Sequence, residues 1–212
     1  MVDKYEDVIG WCPQDKIEKL EEIVSCFKNP VIVESGVYGG KSIIPMAVVC
    51  KKRGRGHCYG IDPWDKVASV EGYPLEDTNA VWWSKLDYSY VYREWRNALR
   101  RYDVEKFVTE LKGKSDEFVK NFAEGSINIF HLDSNHSELV SCREVEQWHP
   151  KIKMGGYFVF DDTDWNTTLK AQTMLIRLGY RLVDDRQKWA VFIKDEVSTV
   201  SVENLFITGT DD

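Results

Sequence analysis

Residues 33–42 read VESGVYGGKS. The β-branched run over 30–35 (PVIVES) that leads into them reads as a buried strand, and the segment 42–52 that leaves them reads as a helix. Gly36, Gly39 and Gly40 fill the turn between. Such a turn lets the backbone, with its N–H groups and the helix N-terminus, come close to a ligand.

Working outward, short β-branched runs alternate with amphipathic stretches, the mark of a parallel sheet with crossover helices. Helices are expected over 16–27, 115–122, 138–148 and 166–178, and further strands over 57–62, 106–111, 127–133, 157–161, 180–183 and 189–194. The last two strands, parted by DDRQK, read as an antiparallel hairpin. Several strands end in acidic or polar residues: Glu34 with Ser35, Asp62, Asp133, and Asp161 with Asp162. The carboxyl ends of strands line the ligand crevice of an open α/β sheet, so these residues are expected around one site. An Asp there also serves as a helix N-cap.

A chain of 212 residues is long enough to bury a core without staples, and a single domain over 1–212 is expected. With 28 Lys and Arg against 35 Asp and Glu, the net charge of −7 argues against a general nucleic-acid binder. Hydrophobic residues at 43% and aromatics at 13% exclude disordered and low-complexity classes. Cysteines at 12, 26, 50, 58 and 142 form no C-x-x-C pair, so neither a zinc knuckle nor a disulfide framework is indicated. A cytoplasmic location without membrane attachment is expected, since no apolar run approaches a spanning length and the first residues lack a leader pattern. The tail from about 198 is short and acidic at its end.

Three ligand chemistries use a loop like 33–42. The dinucleotide pattern G-x-G-x-x-G fails, because Tyr38 stands where the second glycine belongs. The P-loop pattern nearly fits at Gly40, Lys41 and Ser42, but Ser35 replaces its first glycine and Pro45 follows in the first helical turns. A P-loop phosphotransferase using Lys41 and Ser42 is therefore a rival reading. The third pattern, E-x-G-x-x-x-G at Glu34, Gly36 and Gly40, resembles motif I of class I S-adenosylmethionine-dependent methyltransferases. Asp62 then ends the next strand in GHCYGIDPW, where a carboxylate can accept both ribose hydroxyls of the cofactor. LKGKSDE at 111–117 falls where that fold flanks the adenine, although Ser115 is also a plausible helix cap.

Residues 127–136 read INIFHLDSNH and residues 153–165 read KMGGYFVFDDTDW. Over about 31–194 these ordered motifs resemble the metal-dependent sugar and natural-product O-methyltransferases, relatives of the macrocin and rhamnosyl O-methyltransferases and of the cephalosporin-hydroxylase-like group. The resemblance implies a Rossmann-like α/β fold, with a seven-stranded, mostly parallel sheet, an antiparallel last strand and helices on both faces. It implies S-adenosylmethionine held by Glu34, Gly36, Gly40, Ser42, Asp62, Ser115 and Asp133, and a divalent cation on Asp133, Asp161 and Asp162. Three carboxylates without a nearby cysteine suit a hard ion such as Mg²⁺. Where relatives often carry a second acid, this chain has Asn135, so His136 or Asp133 is expected to act as base.

Between 64 and 102 the chain holds nine aromatics, all Trp or Tyr: Trp64, Tyr73, Trp82, Trp83, Tyr88, Tyr90, Tyr92, Trp95 and Tyr102. Such rings suit a lid over a sugar or planar substrate, and equally a helix packed on the sheet or on a second subunit. Arg93, Arg96, Arg100 and Arg101 could meet a phosphate carried by the substrate. The expected partner is a small-molecule or glycan substrate, with a homodimer conceivable. A hydroxylase-like relative or a non-catalytic scaffold of the same fold are the other readings.

Overall fold

The computed structural model describes residues 4–74 and 76–195; the acidic tail lies outside them. The strands are β1 (Val31–Ser35), β2 (His57–Asp62), β3 (Val108–Lys112), β4 (Ile127–Leu132), β5 (Ile152–Asp161), β6 (Tyr180–Asp185) and β7 (Trp189–Lys194). They form one seven-stranded sheet in the order β3-β2-β1-β4-β5-β7-β6. The pairs from β3 to β5 are parallel, and β7 runs antiparallel to both β5 and β6. This is the expected Rossmann-like architecture, and strand order reverses between β1 and β4, where such sheets open a ligand crevice.

The helices are α1 (Gln14–Ser25), α2 (Ile43–Arg53), α3 (Lys66–Ser69), α4 (Thr78–Trp83), α5 (Tyr88–Arg101), α6 (Ser115–Phe118), α7 (Glu138–Trp148) and α8 (Leu169–Arg177). The segment 115–122 is α-helical only to Phe118 and closes in a 3₁₀ turn, and 166–178 opens with one. β5 begins at Ile152, earlier than the expected 157, because Ile152 pairs with Ile127 across an irregularity in the β4 register.

Strand periodicity of two sorts the core into two faces. Ile32, Ile129 and Val159 pack with α1, α2 and α5 residues such as Ile17, Leu20, Met46 and Trp95. Val33, Phe130, Leu132 and Phe158 pack with Trp148 of α7 and Leu175 of α8. The same alternation turns Glu34 and His131 toward the first face and Ser35 toward the second. Leu132 pairs with Phe160, so Asp133 and Asp161 stand side by side at the ends of β4 and β5. Among the described residues no helix is long and apolar enough to cross a membrane.

Candidate active site

Two adjoining cavities open over the carboxyl ends of the strands. The first, about 790 Å³ with its mouth, is walled by Gly36, Asp62, Gly113, Ser115, Asp133 and Glu144 among others. The second, about 930 Å³ with its mouth, has Trp11, Tyr38, Trp82, Trp83 and Trp165 around Asp161 and Asp162. They share Gly36, Tyr38, Trp83, Asp133, Ser134 and His136. Asp133 and His136 are the titratable acid and imidazole that border both cavities.

The loop after β1 is held from below. Asp62 Oδ2 accepts from the backbone N–H groups of Val37 (3.0 Å) and Tyr38 (2.9 Å), and Oδ1 accepts from Trp64 N (2.6 Å). Burial raises the Asp62 pKa against the pull of these three amides. A carboxylate offers about four acceptor positions. Three are taken by the loop, and the remaining acceptor capacity of Asp62 is what it offers a ligand. The same bonds weigh against the P-loop reading, since the amides that would cradle a phosphate already serve Asp62. Ser42, which a P-loop would use on a metal, instead donates its Oγ hydrogen to Glu34 Oε1 at 2.9 Å.

The residues expected to hold the cofactor divide accordingly. Gly36, Asp62, Ser115 and Asp133 line the first cavity, and Ser42 lines the second. Glu34 is fully buried behind the loop, bonded to Ser42 and, at 2.9 Å, to His131 Nδ1. Gly40 also lies behind the wall: a Cβ there would come within 2.6 Å of the Trp95 ring, so its glycine serves packing. Both support the loop from inside the core.

The acidic cluster contains a side chain the sequence reading did not single out. Lys16, in the first turn of α1 and 1% exposed, brings Nζ to 2.5 Å from Asp161 Oδ2 and 3.8 Å from Asp133 Oδ2. Burial alone would lower its pKa, but Asp161 and Asp133 outweigh burial and hold it above the ordinary lysine value. Asp161, which burial would raise, is brought down to about 2, chiefly by the Lys16 charge. Burial and the neighbouring Asp161 charge push Asp133 up to about 7. His136 Nε2 lies 3.1 Å from Asp162 Oδ2 and 3.7 Å from Asp133 Oδ1. Burial works against its charged form, yet Asp133 and Asp162 raise its pKa.

Of the carboxylates expected to bind a cation, Asp161 and Asp133 thus face an ammonium group and Asp162 faces an imidazole. Ligand atoms of His131, Asp133 and Asp161 do converge within 4.8 Å of one another. Lys16 stands against that trio. A divalent ion on the oxygen that Lys16 holds would lie no more than about 4.6 Å from Nζ, given a metal–oxygen bond of about 2.1 Å. The repulsion is roughly 7 kcal/mol at an effective dielectric constant of about 20. Lys16 thus weakens this trio as a divalent-ion site and already supplies a positive charge beside it.

Glu144 of α7 also escaped the sequence reading, because a glutamate within an amphipathic helix carries no local signal. It is buried and accepts from Ser35 Oγ and Ser134 Oγ, each at 2.5 Å, and from Ser115 Oγ. One carboxylate thus ties the ends of β1 and β4 to the start of α6. Asn135 explains the missing second acid: its Nδ2 shares its two hydrogens among the carbonyls of Ala68, Ser69 and Glu71, which a carboxylate could not do. It pins the insertion over the site and is not a base.

The insertion itself divides. Trp82, Trp83, Tyr73 and Tyr88 border the cavities, whereas Trp95 is fully buried and Tyr92 and Trp95 bond Glu110 on β3. The rings named at the cavities thus lie over 73–88, and those bonded to β3 follow within α5 at 92 and 95. The four arginines leave the site: Arg96, Arg100 and Arg101 pair with Glu110, Glu105 and Asp7, and Arg93 lies over the Tyr90 ring.

Comparison with known proteins agrees with this fold. The family profile described as a methyltransferase domain matches residues 33–163. No curated protein sequence matches. Among solved structures, the O-methyltransferase NovP superposes with a TM-score of 0.66 at 16% identity, covering 86% of this chain and 81% of its own. TomG, an O-methyltransferase from Streptomyces achromogenes involved in tomaymycin synthesis and solved with S-adenosylmethionine, gives 0.60 at 11%, covering 88% and 80%. The Podospora anserina methyltransferase PaMTH1, solved with S-adenosylhomocysteine, gives 0.60 at 12%, covering 88% and 80%. At these identities the likeness is one of fold.

Proposed function

The chain belongs to the methyltransferase-domain family, and from that membership we propose that it is an S-adenosylmethionine-dependent O-methyltransferase acting on a hydroxyl of a sugar, in a glycan or a glycosylated small molecule. The observation that carries this reading is the meeting of the two cavities at Asp133 and His136. The first cavity offers Gly36, Asp62, Gly113 and Ser115 to an adenosyl group. When bound, the cofactor supplies a methyl group made electrophilic by its sulfonium.

The second cavity receives the acceptor. Indole and phenol faces from Trp11, Tyr38, Trp82, Trp83 and Trp165 suit the C–H faces of a sugar ring, while Asn79 and Lys41 offer polar contacts to its hydroxyls. Asp133 is the base. With a pKa of about 7 it takes the hydroxyl proton near neutrality, and His136 beside it, oriented by Asp162, steadies the cluster's charge. Catalysis then rests on positioning two ligands against each other and on this electrostatic setting. The reading invokes no metal ion, because Lys16 and His136 already face the carboxylates that would hold one.

The test is calorimetric titration of the purified chain with S-adenosylmethionine, S-adenosylhomocysteine and ATP, followed by a methyl-acceptor panel. Micromolar binding of both adenosyl ligands, no response to ATP, and methylation of glycosides in preference to their aglycones are expected. Binding of ATP alone would overturn the cofactor assignment, and transfer confined to aglycones would overturn the sugar.

A further inference from the structure

We infer that Lys16 takes the place of a divalent cation at the Asp133–Asp161 cluster, so that this centre is built to work without a bound metal ion. The inference deepens the proposed function and rests on it for the reaction, but the exclusion of metal is a property of the folded chain alone.

The argument starts from α1. Its buried residues Lys16, Ile17, Leu20, Ile23 and Val24 follow the helical repeat, so Lys16 occupies a position on the apolar stripe. An unpaired ammonium there would carry a heavy desolvation penalty, and lysine is almost never fully buried without a partner. What receives it is the row of polar residues that strand alternation turns toward α1. Asp161 lies at 2.5 Å, Asp133 at 3.8 Å, and His131 Nε2 3.9 Å from that same Asp133 oxygen.

Lys16 borders neither cavity, whereas Asp133 borders both and Asp161 the second. It therefore reaches the carboxylates from the core side and leaves their other side to the ligands. That makes it a positioning residue: it compensates Asp161 and leaves the cavity side of Asp133 to the ligands.

His131 fits the same account. Its Nδ1 is bonded to Glu34, and among the described residues Nε2 has no hydrogen-bond partner. Among the described residues, Lys16, His131 and His136 are the basic side chains that face Asp133, Asp161 and Asp162.

The experiment uses the full chain after dialysis against chelator. Free Mn²⁺ is followed by electron paramagnetic resonance, with and without S-adenosylhomocysteine, alongside methyl transfer in EDTA and in Mn²⁺. The native protein is expected to bind no stoichiometric Mn²⁺ and to lose less than about twofold in rate with EDTA. Lys16→Met, which keeps the stem and removes the charge, is expected to gain one Mn²⁺ site at least tenfold tighter than any in the native chain. Its transfer rate should fall more than tenfold and recover in part with Mn²⁺.

Lys16→Arg, which keeps the charge, should stay metal-free and retain most of the rate. One equivalent of Mn²⁺ on the native protein, lost in Asp161→Asn, would overturn the inference. So would a folded Lys16→Met chain that binds no Mn²⁺. If Lys16→Met does not fold, the native titration and the Lys16→Arg rate still decide. Calorimetry with S-adenosylhomocysteine reports separately on the cofactor, so a failure of the methyltransferase reading is distinguishable from a failure of this one.

Discussion

Gly36→Ala probes the point at which the fold and the site are the same object. Gly36 has φ +88° and a Cβ there would lie 2.5 Å from Ser134 Cα, with the Asp133 carbonyl nearer still. The obstacle is backbone, so relief needs a retreat of more than 0.9 Å, the amount by which Ser134 Cα alone falls short of the 3.4 Å of ordinary contact. That retreat strains two main-chain bonds, Gly36 N to Ile61 O at 2.9 Å and Asp133 N to Ser35 O at 2.8 Å. Each is worth about 1 kcal/mol net. The positive φ costs an alanine roughly 1–2 kcal/mol and overpacking roughly 1–3. Together the loss is roughly 4–7 kcal/mol, a large part of a typical stability of about 5–15. Urea unfolding should show this loss, and calorimetry at low temperature, where any folded fraction persists, should show S-adenosylhomocysteine binding weakened at least tenfold. A variant within about 1 kcal/mol of the native stability, with affinity intact, would refute the claim that β1 and β4 are in backbone contact at this glycine.

Asp62→Asn should destabilise the chain by about 2–4 kcal/mol, since an amide N–H₂ must face backbone N–H donors where a carboxylate accepted three bonds; thermal unfolding measures it, and unchanged stability with weakened cofactor binding would mean that Asp62 contacts only the ligand. The kcat/KM profile should rise with pH through about 7, because the Asp133 carboxyl must lose its proton before it can accept one, and Asp133→Asn should leave a low, flat profile. The stability signs are opposite for the two neighbours. The contribution of Asp133, whose pKa is raised, is lost as pH rises through about 7, while that of Asp161 is present above the ordinary carboxylate range and lost as pH falls toward about 2.

The insertion shows how one composition serves two purposes. Asp65, Asp77 and Asp87 cap its three helices with side-chain oxygens, so each start is locally encoded. Which aromatic rings face the cavity and which face the sheet is not. Tyr92 and Trp95 turn inward because Glu110 on β3 accepts their polar hydrogens, and Trp82 and Trp83 stay at the cavity because α4 packs on Trp11.

From sequence alone came the alternation of strands and helices, the glycine turn after β1, and acids at the ends of β2, β4 and β5. These follow from periodicity and from residues whose backbone preferences act within a few positions. The tertiary structure decided what those acids do. Asp62 spends its lone pairs on the loop, Glu34 lies behind it, Asn135 pins the insertion, and Lys16 reaches Asp161 across 145 residues of chain. Glu144 gathers hydroxyls from three separate segments. The charge on a buried group depends on which partner arrives within a few ångströms once water is excluded. That partner is chosen by helix packing on the sheet, and local sequence carries no record of it.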